Sequence, residues 1–237
     1  MNFFDGLYGY EVLLLILGAL FFIVLVGAFV ILIVQKRPYG KLGMFFAIPV
    51  FMIGFPSIKS IQYKDGVLSV DKLTHELQQN PTDTEKREQL RRKVADVGNR
   101  PAADPAAIVS IANAQFALGN HKAAEANLQK AIEKAPDLPM VVELKKKFDL
   151  EQALTKLTAQ VEQHPADPAV KQELKQKVEE TSKLPVASPQ LLTTLARAQQ
   201  LTGNHTEAVK LADTALKIDP HLVQAQKVKA TATAAHQ

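Results

Sequence analysis

The chain contains no cysteine. Disulfide bonds and thiolate metal sites are therefore excluded, and cysteine usage says nothing about the redox environment. The chain also lacks the glycine-rich, nucleophile-elbow and HExxH signatures of nucleotide-binding sites, hydrolases and zinc proteases. Its carboxylates lie among Lys and Gln on faces expected to be exposed, without the apolar surroundings that raise the pKa of a general acid. We expect no enzymatic activity, no metal and no cofactor.

Aromatic residues are almost absent beyond residue 60, and no charge of one sign dominates the chain. The 237 residues carry a net charge of +4, and the basic residues alternate with Glu, as in residues 84–93 and 170–180. This pattern indicates solvated helix faces and not a nucleic-acid partner. Residues 70–237 are rich in Ala, Lys, Glu, Gln and Leu, which separates them from the apolar N-terminal part of the chain.

The first long apolar run covers residues 12–34 without a charged side chain. At about 1.5 Å per residue, such a helix exceeds the hydrocarbon thickness of about 30 Å. The preceding segment carries Asp5 and Glu11 but no basic residue, unlike a cleavable signal peptide. The run therefore predicts a transmembrane helix that is retained.

A second, shorter apolar run covers residues 42–58 and contains Pro49, Gly54 and Pro56. A spanning helix tolerates these residues if neighbouring helices satisfy the freed backbone groups. We predict a second transmembrane helix, with a re-entrant or interfacial segment as the alternative, and a membrane anchor over residues 1–60.

The loop between the two runs, QKRPYGK, carries Lys36, Arg37 and Lys41. Short basic loops stay in the cytoplasm. We therefore expect a protein of the bacterial inner membrane, with its N-terminus and everything after residue 58 outside the cytoplasm. If the second run does not cross, the large domain is cytoplasmic instead.

Residues 61–70 form a predicted connector, because Lys64-Asp65-Gly66 between short alternating runs is typical of a tight turn. Further along, the tripeptide Gly-Asn-His occurs at 119–121 and again at 203–205. The offset between the two tripeptides also pairs a series of prolines, Pro81 with Pro165, Pro101 with Pro185, Pro105 with Pro189 and Pro136 with Pro220. The soluble part is therefore predicted to be a tandem duplication of a unit of about 84 residues, over residues 71–154 and 155–237.

Within each unit the apolar residues recur at helical spacing on either side of the Gly-Asn-His turn. Ile108, Ile111 and Ala112 share a face of one helix, and Ala124 and Leu128 share a face of the next. Glycine at the break supplies a positive φ, and a proline follows the second helix. The fold class predicted for the chain is all-α, with two N-terminal transmembrane helices followed by antiparallel helical hairpins.

The two hairpins resemble tetratricopeptide (TPR) repeats. The matching positions of the first are Ile108, Ile111, Ala112, Gly119, Ala124, Leu128, Ala131, Ile132 and Pro136, and those of the second are Leu192, Leu195, Ala196, Gly203, Ala208, Ala215, Leu216 and Pro220. Gln115 and Gln199 depart from the aromatic residue usual in the family, and Ala212 replaces a bulky residue. The resemblance implies an α-solenoid that binds protein partners and has no catalytic role.

In such a solenoid the concave side often receives a peptide or a partner helix. We expect six residues of the two first helices to line it, namely Val109, Asn113, Phe116, Thr193, Arg197 and Gln200. The alternative is that these side chains contact the next hairpin. His121 and His205 are expected to be exposed turn residues and not metal ligands, and Lys145 to Lys147 a solvated helix face.

The resulting hypothesis is a membrane-anchored scaffold that docks a protein partner or stabilises a larger inner-membrane assembly. Its partners would include integral-membrane subunits, and lipid would surround its two spans. Two alternatives stay open. The layout resembles the TPR subunit of cytochrome c biogenesis, which implies a chaperone that holds apoprotein tails, although the short loop between the spans argues against this. The other alternative is an accessory subunit of an envelope polysaccharide or cell-wall synthase.

Overall fold

The structure is a computed structural model that describes residues 4–36 and 40–235, with the backbone alone at residues 40 and 41. Helices joined by short loops make up this part of the chain, which contains no strand. The helices are α1 (Gly9–Val34), α2 (Gly40–Phe45), α3 (Ala47–Gln79), α4 (Thr84–Gly98), α5 (Pro105–Ala117), α6 (His121–Lys134), α7 (Pro139–Gln163), α8 (Pro168–Ser182), α9 (Pro189–Leu201), α10 (His205–Ile218) and α11 (Val223–Ala234). The predicted all-α fold class is confirmed.

The chain divides into two compact units. The first comprises Met1–Leu68 and Ala95–Asp104, and the second comprises Ser69–Val94 and Pro105–Gln237. Helices α3 and α4 each contribute residues to both units. The predicted boundaries of the anchor and of the two duplicated units remain sequence-based predictions.

In the first unit, α1 lies antiparallel to the first half of α3. A Cβ placed on Gly18 would lie 2.8 Å from the Cβ of Met52, so the absence of a side chain allows close approach. The ring of Phe46 lies edge-on to Phe22, at 5.6 Å between centroids. Most large apolar side chains of α1 are exposed. By length and composition, α1 and the stretch Leu42–Gln79 could each cross a membrane.

The predicted turn at Lys64-Asp65-Gly66 is wrong, because these residues lie inside α3. The helix continues to Gln79 as one element, well past the predicted span over residues 42–58. Gly66 allows α3 to pack closely against α4, because a Cβ at this position would lie 2.6 Å from Val97 Cγ1. Residues 37–39 of the predicted basic loop lie outside the described residues.

The second unit repeats its helices at the predicted offset. Helices α5 and α6 recur as α9 and α10, with every boundary displaced by the distance that separates the two Gly-Asn-His turns, and the start of α7 recurs as the start of α11. Gly119 and Gly203 have φ angles of 87° and 90°, a conformation in which glycine avoids the steric cost of a side chain. The predicted duplication of the hairpin is confirmed by these matching bounds.

Small residues hold each hairpin together. Ala124 and Ala131 of α6, and their counterparts Ala208 and Ala215 of α10, are fully buried. Side chains of this size let two helix backbones approach closely, because the distance between helix axes depends on the residues at the contact.

A buried arginine connects three separate segments of the second unit. Arg87 of α4, only 6% exposed, donates to the carbonyl oxygens of Ala117 (3.1 Å), Pro81 (3.0 Å) and Ala187 (3.0 Å). Ala117 ends α5, so the guanidinium satisfies a carbonyl that has no partner within its own helix. Burial lowers the pKa of Arg87 to about 10, which leaves the side chain charged at neutral pH.

Candidate functional site

A groove of about 1200 Å³ lies between α6 and α7 in the second unit, beside the first Gly-Asn-His turn. Its apolar lining residues include Ala123 and Ala126 of α6 and Phe148 of α7. The remaining lining residues are Gly119, Asn120, His121, Lys122, Glu125, Glu151, Gln152, Thr155, Lys156 and Gln190. A volume above the usual range of about 300–1,000 Å³ for small-molecule pockets favours a larger occupant, such as a peptide segment.

The two copies of the hairpin differ in side-chain size where the second helix meets the helix that follows the hairpin. In the second copy, Ala212 and Ala232 belong to a buried cluster through which α11 packs closely along α10. Their counterparts in the first copy are Leu128 and Phe148, which are much larger. Bulkier residues at the contact keep helices further apart. In line with this, α7 contacts α6 much less than α11 contacts α10.

His121 fixes the end of the groove at the turn. Its Nδ1 lies 3.0 Å from a carboxylate oxygen of Glu151, and its Nε2 lies 3.0 Å from the Ser188 hydroxyl. The imidazole also packs against the rings of Phe116 and Phe148, with centroids 4.9 Å and 6.2 Å away. The start of α6 is thereby tied to α7 and to the residue that caps α9.

The prediction that both histidines are exposed turn residues is wrong. The side chain of His121 is 25% exposed and makes the contacts just described. His205 is only partly exposed, and its Nδ1 is buried without a hydrogen-bond partner in the described part of the chain. Lys147, expected on a solvated face, is also buried and pairs with Glu143 at 3.0 Å.

Three of the six residues predicted to line the concave side are buried. Val109 is fully buried, Phe116 is 4% exposed and Thr193 is 7% exposed. The ring of Phe116 packs against Phe148 of α7 at 4.8 Å between centroids. The expectation that these side chains are open to a partner is wrong. Val109 and Phe116 match the alternative, because α7 covers this face of α5. Thr193 lies on α9, where its hydroxyl donates to the carbonyl of Pro189 in the same helix.

The other three residues are partly exposed, and the side chains of two of them, Arg197 and Gln200, are hydrogen-bonded within the chain. Arg197 Nε donates to Glu162 at 2.6 Å, and Gln200 donates to Thr231 at 2.6 Å. Asn113 borders a cavity of about 30 Å³ next to Lys147. The role of these residues in partner binding remains a prediction.

Differences between the two copies of the hairpin, and not the features that they share, indicate the position of the groove. Glu151, Gln152 and Thr155 lie in the second half of α7, which the predicted helix pattern did not relate to the Gly-Asn-His turn. Comparing the two copies position by position, Leu128 with Ala212 and Phe148 with Ala232, would have indicated where they differ in packing. No similar comparison indicates the partners of His121, because Ser188 lies 67 residues away.

Two segments match the family model described as tetratricopeptide repeat, residues 105–138 and residues 189–222. The two matches are separated by the same offset as the duplicated helices, and they cover α5 with α6 and α9 with α10. No curated protein and no solved structure shows significant similarity to the chain.

Proposed function

We propose that this chain, which contains two tetratricopeptide repeats, is a membrane-anchored scaffold that binds a peptide segment of a partner protein in the groove between α6 and α7. TPR repeats point to protein–protein interaction and are generally not catalytic. The observation that carries the finer proposal is the groove itself, about 1200 Å³ between α6 and α7.

The lining of the groove suits a peptide of mixed character. Ala123, Ala126 and Phe148 offer carbon surface for an apolar side chain. Lys122 and Lys156 stand on opposite helices and can pair with carboxylates, while the amides of Gln152 and Gln190 can bond to a peptide backbone. Interfaces combine an apolar centre with a polar rim in this way.

Membrane anchoring through α1 and the stretch 42–79 is part of the proposal. Support comes from their length and hydropathy and from the exposure of the large apolar side chains of α1. Such side chains need lipid or the helices of an integral-membrane partner around them. We place the protein in a bacterial inner membrane with the repeats outside the cytoplasm, because Lys36, Arg37 and Lys41 follow a segment without basic residues.

The proposal predicts that filling the groove abolishes partner binding without unfolding the chain. Ala126→Arg places a long side chain in the groove from an exposed position of α6, and arginine is a good helix former. We expect the amount of partner that co-purifies in mild detergent to fall about tenfold or more, a loss of at least about 1.4 kcal/mol in binding. Circular dichroism is expected to be unchanged.

Ala159→Arg is the matched control, since Ala159 is exposed on α7 and does not line the groove. It should retain the partner at the level of the unsubstituted protein. Equal retention by both variants would mean that the partner is held elsewhere, for example by the membrane helices.

A further inference from the structure

The segment that precedes α1 is hydrogen-bonded to the loop that follows α4. The backbone N–H of Gly6 donates to the carbonyl of Pro101 at 3.0 Å, and the Tyr8 hydroxyl donates to the carbonyl of Asn99 at 2.8 Å. Asp5 accepts from the backbone N–H of Ala103 at 2.6 Å and from that of Asp104 at 3.2 Å. We call residues 5–11 together with residues 99–104 the clasp; all of them belong to the first compact unit.

Arg100 is the charged centre of the clasp. Its guanidinium donates to the carbonyl of Gly6 at 2.9 Å, lies 3.5 Å from a carboxylate oxygen of Glu11, and sits over the ring of Tyr8. Glu11 is 1% exposed and also accepts from the backbone N–H of Tyr8 at 2.9 Å. A buried carboxylate is costly unless a cation and hydrogen bonds compensate for lost hydration. Arg100 supplies the cation from a part of the chain 89 residues away.

Helix α3 also packs against the clasp, through Tyr63. The ring of Tyr63, only 2% exposed, fills the space that a Cβ on Gly6 would need. Further along the pair of helices, Gly18 of α1 meets Met52 of α3. The two helices are therefore antiparallel. Helix α1 begins at the clasp and runs away from it, and α3 runs back toward it.

From this geometry we infer that the clasp holds the N-terminal segment and the loop leading to the repeats on one side of the membrane, so that both apolar helices must cross it. Contacts of about 3 Å cannot form through a hydrocarbon layer of about 30 Å. After residue 104, no described helix is long and apolar enough to cross. This inference rests on the proposed membrane anchoring, but it does not depend on which side is the cytoplasm.

The absence of cysteine permits a direct test with single cysteines in the full chain. Tyr10→Cys reports on the clasp side, Lys171→Cys on the repeats and Lys36→Cys on the opposite end of α1; all three side chains are exposed. A membrane-impermeant maleimide applied to sealed cells should label Tyr10→Cys and Lys171→Cys alike, with Lys36→Cys showing the opposite result. Labelling of only one of Tyr10→Cys and Lys171→Cys, or the same result for all three variants, would overturn the inference.

Failure of the anchoring itself would look different, because the protein would then be released from membranes by alkaline carbonate. In that case there are no two sides of a membrane to compare, and a second measurement, amide hydrogen exchange, tests the contacts of the clasp by themselves. In detergent, Arg100→Met should speed amide hydrogen exchange of residues 5–8 and 102–104 by about tenfold or more, while exchange in α9 stays unchanged. Arg92→Met, at an exposed position of α4, is the control. Unchanged exchange in the Arg100 variant would contradict the clasp.

Discussion

Replacing Arg87 by methionine is expected to lower the free energy of unfolding by about 2–5 kcal/mol, the largest effect of any single substitution proposed for the repeats. Methionine keeps much of the side-chain volume but has no donor. The carbonyls of Ala117 and Ala187, both on buried residues, would lose the donors that they have from Arg87. A buried acceptor left without a partner costs about 1–3 kcal/mol. Urea unfolding of the full chain in mild detergent, followed by circular dichroism, measures the change.

Arg91→Met is the control for this prediction, because it removes the same group from the same helix. Arg91 is exposed and pairs with Glu88 at the surface, where an ion pair contributes about 0–1 kcal/mol. If the two variants unfold at the same urea concentration, the three hydrogen bonds of Arg87 do not stabilise the fold. Arg87→Lys should not restore stability, because an ammonium cannot reproduce the planar, divergent donors that reach three carbonyls.

Enlarging the fully buried Ala208 to leucine is expected to lower stability by about 1–3 kcal/mol. Ala208 lies in a cluster with Ala196, Ala212, Val228 and Ala232, where α9, α10 and α11 meet. Three extra carbon atoms would force these helices apart, because alanines leave no space between them. A lower melting temperature, with helicity unchanged at low temperature, is the expected observation.

Ala230→Leu adds the same atoms at an exposed position of α11 and should leave the melting temperature nearly unchanged. The comparison removes the effect of helix propensity, which is similar at two helical positions. A melting temperature for Ala208→Leu as high as that of Ala230→Leu would mean that the helices of the second hairpin pack less tightly than the buried alanines indicate.

The duplicated hairpin could be predicted from the sequence because its determinants are local. Gly119 and Gly203 set the turn through a positive φ, and prolines mark helix starts at Pro105, Pro139 and Pro189. These signals act within a few residues and occur in both copies, so each copy supports the other. The helix boundaries therefore follow the sequence pattern closely.

The long helix α3 and the groove could not be predicted in the same way. Gly66 resembles a turn residue when only its neighbours are considered, yet its role depends on Val97, which lies on a different helix far along the sequence. The burial of Phe116 likewise depends on Phe148, which lies on α7, 32 positions further along the sequence. Tertiary packing decides such positions, and one sequence without its fold does not say which residues meet.

The central claim is that a partner peptide occupies the groove between α6 and α7, and photo-crosslinking in the native membrane tests it most directly. A benzophenone side chain introduced at Thr155, inside the groove, should form an adduct with one partner, and the same group at Ala159 should not. The Thr155 adduct should disappear when Ala126→Arg fills the groove. An adduct that forms equally well from Ala159, or that persists beside Ala126→Arg, would contradict the claim.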